Sequence, residues 1–243
     1  MRAVAVVLAG GSGLRMGGDV PKQLQLLAGR TLLEHSVGAF ELAPGIDEIV
    51  VVLAADFMAE GERLLGQSYP KVSKIIVGGA DRPGSTLRAI EFLSRSESAG
   101  ADCNVLFHDA ARPLVDQRII ADCLACLTTW QALGVVVPTS DTIVEVTDGI
   151  MTSIPPRESL GRCQTPQGFR LSVIRRAHEL AAADPDSATF SATDDCGIVL
   201  RYLPEIKVRA VPGNERNMKI TYPADFLIAE SVLARESSPA TDL

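Results

Sequence analysis

The sequence predicts an α/β fold in which a mostly parallel sheet carries helices on both faces and one β-hairpin arm is inserted into it. Three observations predict this. Short continuous apolar runs, such as Val4–Ala9 and Asp47–Leu53, suit strands covered on both sides. These runs alternate with helical segments as far as Pro138. The rhythm then breaks at Thr142–Ile154, where Asp148-Gly149 joins two short strand-like runs as a hairpin turn would.

Taken in order, the strand Val4–Ala9 empties into Gly10-Gly-Ser-Gly-Leu-Arg-Met-Gly-Gly18, and a turn with Pro21-Lys22-Gln23 follows. Thr31-Leu-Leu-Glu34 is a capping box, whose hydroxyl and carboxylate satisfy orphan amides at the start of a helix reaching about Leu42. Asp47–Leu53 is a strand, Phe57–Leu65 a helix and Lys74–Val77 a strand that ends in Gly78-Gly79. A helix begins near Pro83-Gly84-Ser85, and Val105–Phe107 is a strand closing on His108-Asp-Ala-Ala-Arg-Pro113. Asp116 caps the next helix, and Gly134–Pro138 is a fifth short strand. The hairpin lies between that strand and Cys163-Gln-Thr-Pro-Gln-Gly-Phe169, a stretch with no evident element of its own. A hairpin alone buries neither face, so it either folds over the site or reaches another subunit. Arg170–Ala183 is helical, Asp184–Ser191 reads as mobile, and Thr193-Asp194-Asp195-Cys196 opens a short helix to Leu200. A strand near Lys207–Val211 and a helix from Thr221-Tyr-Pro223 complete the chain.

The expected organisation is a single domain over residues 1–234, with an arm at about 139–160 and a tail at 235–243. A formal charge of −7, from 23 basic and 30 acidic residues, argues against a surface that coats nucleic acid. No secretory signal is visible, and no apolar run approaches the roughly 18 residues needed to span a membrane, so a cytoplasmic protein is expected. The five cysteines do not form a disulfide framework, and Cys123-Leu-Ala-Cys126 lacks a second pair to complete a zinc site. His35, His108 and His178 show no metal spacing either.

Ligands of such sheets bind outside the carboxyl ends of the strands, where the loops Gly10–Lys22, Gly78–Ser85 and His108–Pro113 converge. Glycines after a buried strand let a phosphate chain approach backbone amides, and Arg15 and Lys22 add fixed positive charge at the same place. The loop fits neither common alternative. Met16 stands where a dinucleotide fingerprint needs its third glycine, and Asp19 stands where a P-loop needs lysine. A nucleoside triphosphate site remains. His108-Asp109 lacks a serine elbow or nucleophilic cysteine, which leaves hydrolase chemistry weak, and Asp109 better suits ordering a hydroxyl or a metal-bound water. Arg112 would pair with a substrate phosphate or with a neighbouring acid.

Leu8-Ala-Gly-Gly-Ser-Gly-Leu-Arg-Met16 with Pro21-Lys-Gln23 resembles the signature of small-molecule nucleotidylyltransferases. His108–Pro113, Asp141-Thr142, Gln164-Thr-Pro-Gln167, Thr193-Asp194 and Lys219-Ile-Thr221 narrow the resemblance to cytidylyltransferases acting on polyol phosphates. That family includes the methylerythritol-phosphate enzyme of isoprenoid synthesis and the ribitol-phosphate enzyme of CDP-ribitol synthesis. The resemblance implies a Rossmann-like fold of the nucleotide-diphospho-sugar transferase type. It also implies CMP transfer from CTP to the substrate's phosphate, with Mg²⁺ on the triphosphate.

By the same resemblance Arg15 and Lys22 are the catalytic cations. Leu8, Ala9, Gly10, Gly11, Ser12, Gly13, Leu14, Gly79, Ala80, Ser85, Asp109 and Ala110 surround the nucleotide. Asp109, Arg112, Thr142, Arg157, Thr165, Thr193 and Lys219 surround the polyol phosphate. No protein metal ligand is implied, except that Asp109 could reach the Mg²⁺. The arm would be exchanged between subunits of a homodimer, so that Thr142 and Arg157 serve the partner's site. Leu8–Gly11, Asp141–Val144, Ile154–Arg157 and Asp195–Leu200 look more like ribitol-type members, which points to ribitol 5-phosphate or a related alditol phosphate. Methylerythritol phosphate is the alternative acceptor. A catalytically inactive CTP-binding module is the alternative of another class.

Overall fold

The structure, a computed structural model, describes residues 1–11, 21–95, 102–186 and 194–237. The expectations for Ser12, Gly13, Leu14, Arg15 and Thr193, and most of the stretch expected to be mobile, fall outside those residues.

The chain begins with β1 (Ala3–Ala9), then a minor ribbon of β2 (Leu26–Leu27) and β3 (Arg30–Thr31), then α1 (Leu32–Glu41). β4 (Glu48–Leu53), α2 (Met58–Leu65), β5 (Val72–Val77), α3 (Arg82–Arg95), β6 (Asn104–Asp109), α4 (Gln117–Cys126) and β7 (Ala132–Pro138) follow. The arm is β8 (Glu145–Thr147) and β9 (Ile150–Ser153). After it come β10 (Gly161–Arg170), α5 (Leu171–Ala183), α6 (Asp195–Tyr202), β11 (Val208–Pro212) and α7 (Pro223–Ser237). α7 runs past Arg235, where a tail was expected to start.

Seven strands form one sheet in the order β11-β7-β10-β6-β1-β4-β5. β10 is antiparallel to both its neighbours, and the remaining pairs are parallel. Every residue of β1 is buried because the strand sits between two neighbours with helices above and below. On one face Ala5, Val7 and Leu106 pack with Leu33, Phe40, Ile119 and Leu127. On the other Val4, Val6 and Phe107 pack with Ile90, Ile174 and Val199. The capping box at Thr31 forms as expected, with Glu34 N donating to Thr31 Oγ1 at 3.1 Å and Thr31 N donating to Glu34 Oε2 at 2.8 Å.

The stretch Cys163–Phe169, which carried no expected element, is the strand that fills the sheet between β6 and β7. Its composition hides this, because Pro166 cannot donate to a ladder and proline argues against an interior strand. The structure accommodates it at a register shift between Gln164 and Gln167, where the β7 pairing skips. The arm is different in kind. β8 and β9 pair only with each other, and every residue in them is exposed.

Candidate active site

β1, β4, β5 and β6 run parallel, so the loops after Ala9, Val77 and Asp109 share one edge of the sheet. The edge is stitched to itself. Gly78 N donates to Leu53 O at 2.7 Å and Ala110 N to Leu8 O at 3.0 Å, extending the ladder one step beyond the strands. Ser85 is 3% exposed and packs where a Cβ on either Gly10 or Gly78 would lie 2.8 Å from its Oγ. Its hydroxyl accepts from Gly79 N at 3.2 Å and donates to Asp81 O at 2.8 Å. Ser85 therefore holds the loop in shape, and beside it lie the backbone of Gly79 and the exposed Ala80. Gly79 tolerates no side chain, because a Cβ would lie 2.5 Å from the backbone of Gly84.

At the mouth of the glycine loop, Gln23 is buried and donates from Nε2 to Ala9 O at 2.6 Å and Gly11 O at 3.0 Å. The one-turn helix Lys22–Leu24 places Lys22 next to the C-terminal segment, where its Nζ donates to Ile220 O at 2.5 Å. Residues 22 and 220 thus meet across most of the chain. Ile220 N in turn donates to Ala111 O at 2.8 Å, so the segment that carries Lys219 is pinned between two of the edge loops.

Asp109 is the node of the site. It is 8% exposed, its Oδ1 accepts from Arg82 Nε at 3.1 Å, and its Oδ2 accepts from Lys219 Nζ at 2.8 Å. Burial opposes charge on Asp109, but the combined attraction of Arg82, Lys219 and Arg112 outweighs it and holds the carboxyl below the usual carboxylate range. Arg82 also donates from Nη1 to the buried Asp195 Oδ2 at 2.9 Å. Burial works against its charge too, yet Asp195 and Asp109 together keep it firmly protonated, and its buried Nη2 has no partner. Sequence reasoning placed Arg82 inside a candidate loop without singling it out. Its position just past two glycines at a strand's carboxyl end was the available signal.

Among the described residues Arg112 forms an ion pair with no acid. Its Nη1 donates to Asn217 O at 2.9 Å and its Nη2 to Cys163 O at 3.4 Å. Held by carbonyls, it keeps its positive charge uncancelled by direct contact, although burial lowers its pKa. Buried Asn217 was missed, and Gln164, also buried, was quoted in a motif but given no role in the site. Asn217 Nδ2 donates to Gln164 Oε1 and to Thr165 O at 3.2 and 2.7 Å, which fastens the C-terminal segment to β10.

His108 and Asp109 are no dyad. Neighbours in a strand point to opposite faces, and His108 is wholly buried against Phe40. Its Nε2 lies 3.0 Å from Arg112 O, which can only accept, so that nitrogen carries the proton. Nδ1 then accepts the Thr165 hydroxyl at 3.0 Å, and Thr165 Oγ1 itself accepts from Asp109 N at 3.1 Å. Burial pushes the His108 pKa down to about 4, so the ring is neutral near pH 7. Thr165 spends its proton on His108, and its geometry is that of a brace behind Asp109.

Asp109, Arg112, Thr165 and Lys219 are thus brought together, while Leu8, Ala9 and Ala110 lie buried at the strand ends beside them. Thr142 and Arg157 meet each other instead, with Arg157 Nη2 donating to Thr142 Oγ1 at 3.1 Å at the exposed root of the arm. Among the described residues, no hydrogen bond or ion pair joins either to Asp109 or Lys219.

Comparison with known proteins agrees with this geometry. The family profile of 2-C-methyl-D-erythritol 4-phosphate cytidylyltransferase (IspD) matches residues 3–235. The chain is 50% identical over 238 residues to the protein of that name from Thermobifida fusca, covering 96% of this chain and 93% of that one. It is 37% identical to a bifunctional ribulose 5-phosphate reductase/CDP-ribitol pyrophosphorylase from Haemophilus influenzae, with 96% of this chain matching 48% of that protein. Among solved structures, 4-diphosphocytidyl-2C-methyl-D-erythritol synthase from Anaerococcus prevotii superposes with a TM-score of 0.82 at 25% identity, over 96% of this chain and 99% of that one. The chain belongs to the 2-C-methyl-D-erythritol 4-phosphate cytidylyltransferase family, a group of CTP-dependent nucleotidyltransferases.

Proposed function

We propose that this protein transfers CMP from CTP to the phosphate of 2-C-methyl-D-erythritol 4-phosphate and releases pyrophosphate. The observation that carries the reading is the cationic edge around Asp109, where Arg82, Arg112 and Lys219 gather and Lys22 holds the carbonyl of Ile220 beside Lys219. The family match favours this acceptor over the ribitol 5-phosphate to which several segments pointed. Ribitol 5-phosphate is the second reading, supported by the likeness to the Haemophilus influenzae protein.

The chemistry needs few specialised groups. An acceptor phosphate oxygen attacks the α-phosphorus of CTP, and the P–O bond to the pyrophosphate breaks. A phosphate is already anionic, so no general base is required; holding two anions in line and neutralising the crowded phosphorus are. Lys22 and Arg15 supply that charge at the triphosphate, whose oxygens take the backbone amides of residues 10–14. Gly79 and Ala80 read cytosine through backbone groups. Lys219 and Arg112 bind the acceptor phosphate, and Asp109 aligns Lys219 and a substrate hydroxyl.

Mg²⁺ fits this donor set only as a triphosphate-held ion. Among the described residues no cluster of three acidic, histidine or cysteine side chains could enclose one, and both Asp109 oxygens already face cations. When bound, the ion would supply charge neutralisation of the phosphates, and Asp109 would share it only through lone pairs that Arg82 and Lys219 leave free.

The arm exposes Val146 (58%), Ile150 (68%), Met151 (60%) and Ile154 (61%), which favours burial against a second copy in a homodimer. Thr142 and Arg157, at its root, would then serve the partner's site. No helix among the described residues is long and apolar enough to cross a membrane, in keeping with a cytoplasmic enzyme.

Pyrophosphate release from CTP and Mg²⁺, with methylerythritol phosphate and ribitol 5-phosphate assayed side by side, tests the reading. Faster turnover of methylerythritol phosphate is expected. Preference for ribitol 5-phosphate would establish the second reading, and CTP binding without any turnover would mark an inactive module.

A further inference from the structure

Of the five cysteines, Cys163 is the exposed one, and Cys196 lies directly behind it at 6% exposure. They come from distant parts of the chain, Cys163 from β10 and Cys196 from the first turn of α6. Cys163 Sγ donates to Gln164 O at 3.7 Å and Cys196 Sγ to Leu133 O at 3.5 Å, and both sulfurs border the same point beside β7. Gly134 on β7 makes the meeting possible, since a side chain there would lie 3.0 Å from Cys196 Sγ and 3.8 Å from Cys163 Sγ. Gln167 completes the group. Its Nε2 donates to Cys163 Sγ at 3.2 Å and to Asp194 Oδ2 at 2.8 Å, while its Oε1 accepts from Asp195 N and Cys196 N.

We propose that Cys163 and Cys196 are a thiol–disulfide exchange site, at which a small-molecule disulfide such as oxidised glutathione bridges β10 to α6. The step balances as follows. The Cys163 thiolate attacks one sulfur of the small disulfide, forming a mixed disulfide and expelling one small thiolate. The Cys196 thiol gives its proton to that leaving thiolate and attacks Cys163 Sγ. The second small thiol then leaves, and two protein thiols have become one disulfide while one small disulfide has become two thiols.

The pair is asymmetric in the way exchange requires. The neighbouring Cys196 side chain, aided by the Gln167 amide, moves the Cys163 thiol below its ordinary pKa against the opposing effect of burial. The neighbouring Cys163 side chain and burial raise Cys196 well above the ordinary range, so it resolves rather than initiates. Cys103, Cys123 and Cys126 are less accessible and their thiol pKa values are raised by burial, which disfavours them as first attackers. The bridge would bear on the reaction because Cys163 O receives Arg112 and Cys163 lies two residues before Thr165 in the same strand. That consequence rests on the function proposed above; the bridge itself does not.

The test incubates the reduced chain with oxidised glutathione and reads intact mass, peptide linkage and CTP-dependent pyrophosphate release. The expected result is loss of two hydrogens, a cross-linked peptide pair containing Cys163 and Cys196, and a severalfold fall in turnover that dithiothreitol reverses. Cys196→Ala is expected to keep basal turnover and to retain a single glutathione on Cys163. Unmodified thiols, a glutathione persisting on the wild-type chain, or a bridge between other cysteines would overturn the proposal. Mass requires no turnover, so a bridged chain that never released pyrophosphate would count against the enzyme reading and leave the thiol site standing.

Discussion

Asp109 is 8% exposed and held by side chains from α3 and from the segment after β11, whereas Val146 in the arm is 58% exposed and its strand pairs only with the other half of the hairpin. The first region is a node that many distant residues specify together. The second is a short ribbon that an isolated chain leaves bare, and two strands alone gain little stability in water. The contrast separates groups that act within one chain from groups that need company. Disturbing the node should damage chemistry or stability in a lone subunit, and disturbing the arm should damage association.

The largest effect is expected at the node's neighbour. Lys22→Ala should lower kcat by roughly 10²–10³-fold, the usual cost of removing one preorganised charge at a transition state, with an unchanged circular dichroism spectrum. Near-normal kcat would remove Lys22 from the mechanism.

Next comes the buried ring behind Asp109. The folded protein resists protonating His108 until about pH 4, while the unfolded chain takes up the proton near pH 6.5. Stability from the neutral ring is therefore complete above pH 6.5 and lost as pH falls towards 4, by about 3 kcal/mol in full. Partly buried His35 is shifted downward as well and adds to the slope. Urea midpoints at pH 7 and pH 4.5 should differ accordingly, and His108→Gln, which cannot take up that charge, should flatten the difference. An unaltered slope in that variant would contradict the buried neutral ring.

Lys219→Ala should raise the KM for the acceptor about tenfold, with a smaller change in kcat, as expected for a charge-assisted contact to substrate phosphate. A change confined to the KM for CTP would move Lys219 to the nucleotide side.

The smallest effect belongs to the arm. Val146→Ser should change the unfolding free energy of dilute chains by no more than about 0.5 kcal/mol, yet weaken self-association measured by light scattering. Equal destabilisation at high dilution would show that the arm packs on its own subunit.

How much of this was legible beforehand varied with how local the signal was. The capping box at Thr31, the Asp116 cap and the buried strands needed only neighbouring residues, and they appear as expected. The convergence of three loops on one edge followed from strand alternation and parallel connections. The residues that were missed have no local signature. Arg82 acquires its meaning from Asp109 and Asp195, Asn217 from Gln164 and Thr165, and β10 from neighbours that tolerate a proline at a register shift. Thr165 stands beside Asp109, but its proton belongs to His108.

The sequence by itself determined the fold class, the glycine-rich stretch after β1 and the family, because backbone sterics, periodicity and motif spacing are properties of short stretches. Tertiary structure alone decided which charges are cancelled, which hydroxyls are spent and which thiols touch. Those outcomes depend on burial and on distances between residues as far apart as Lys22 and Ile220, which no local pattern encodes.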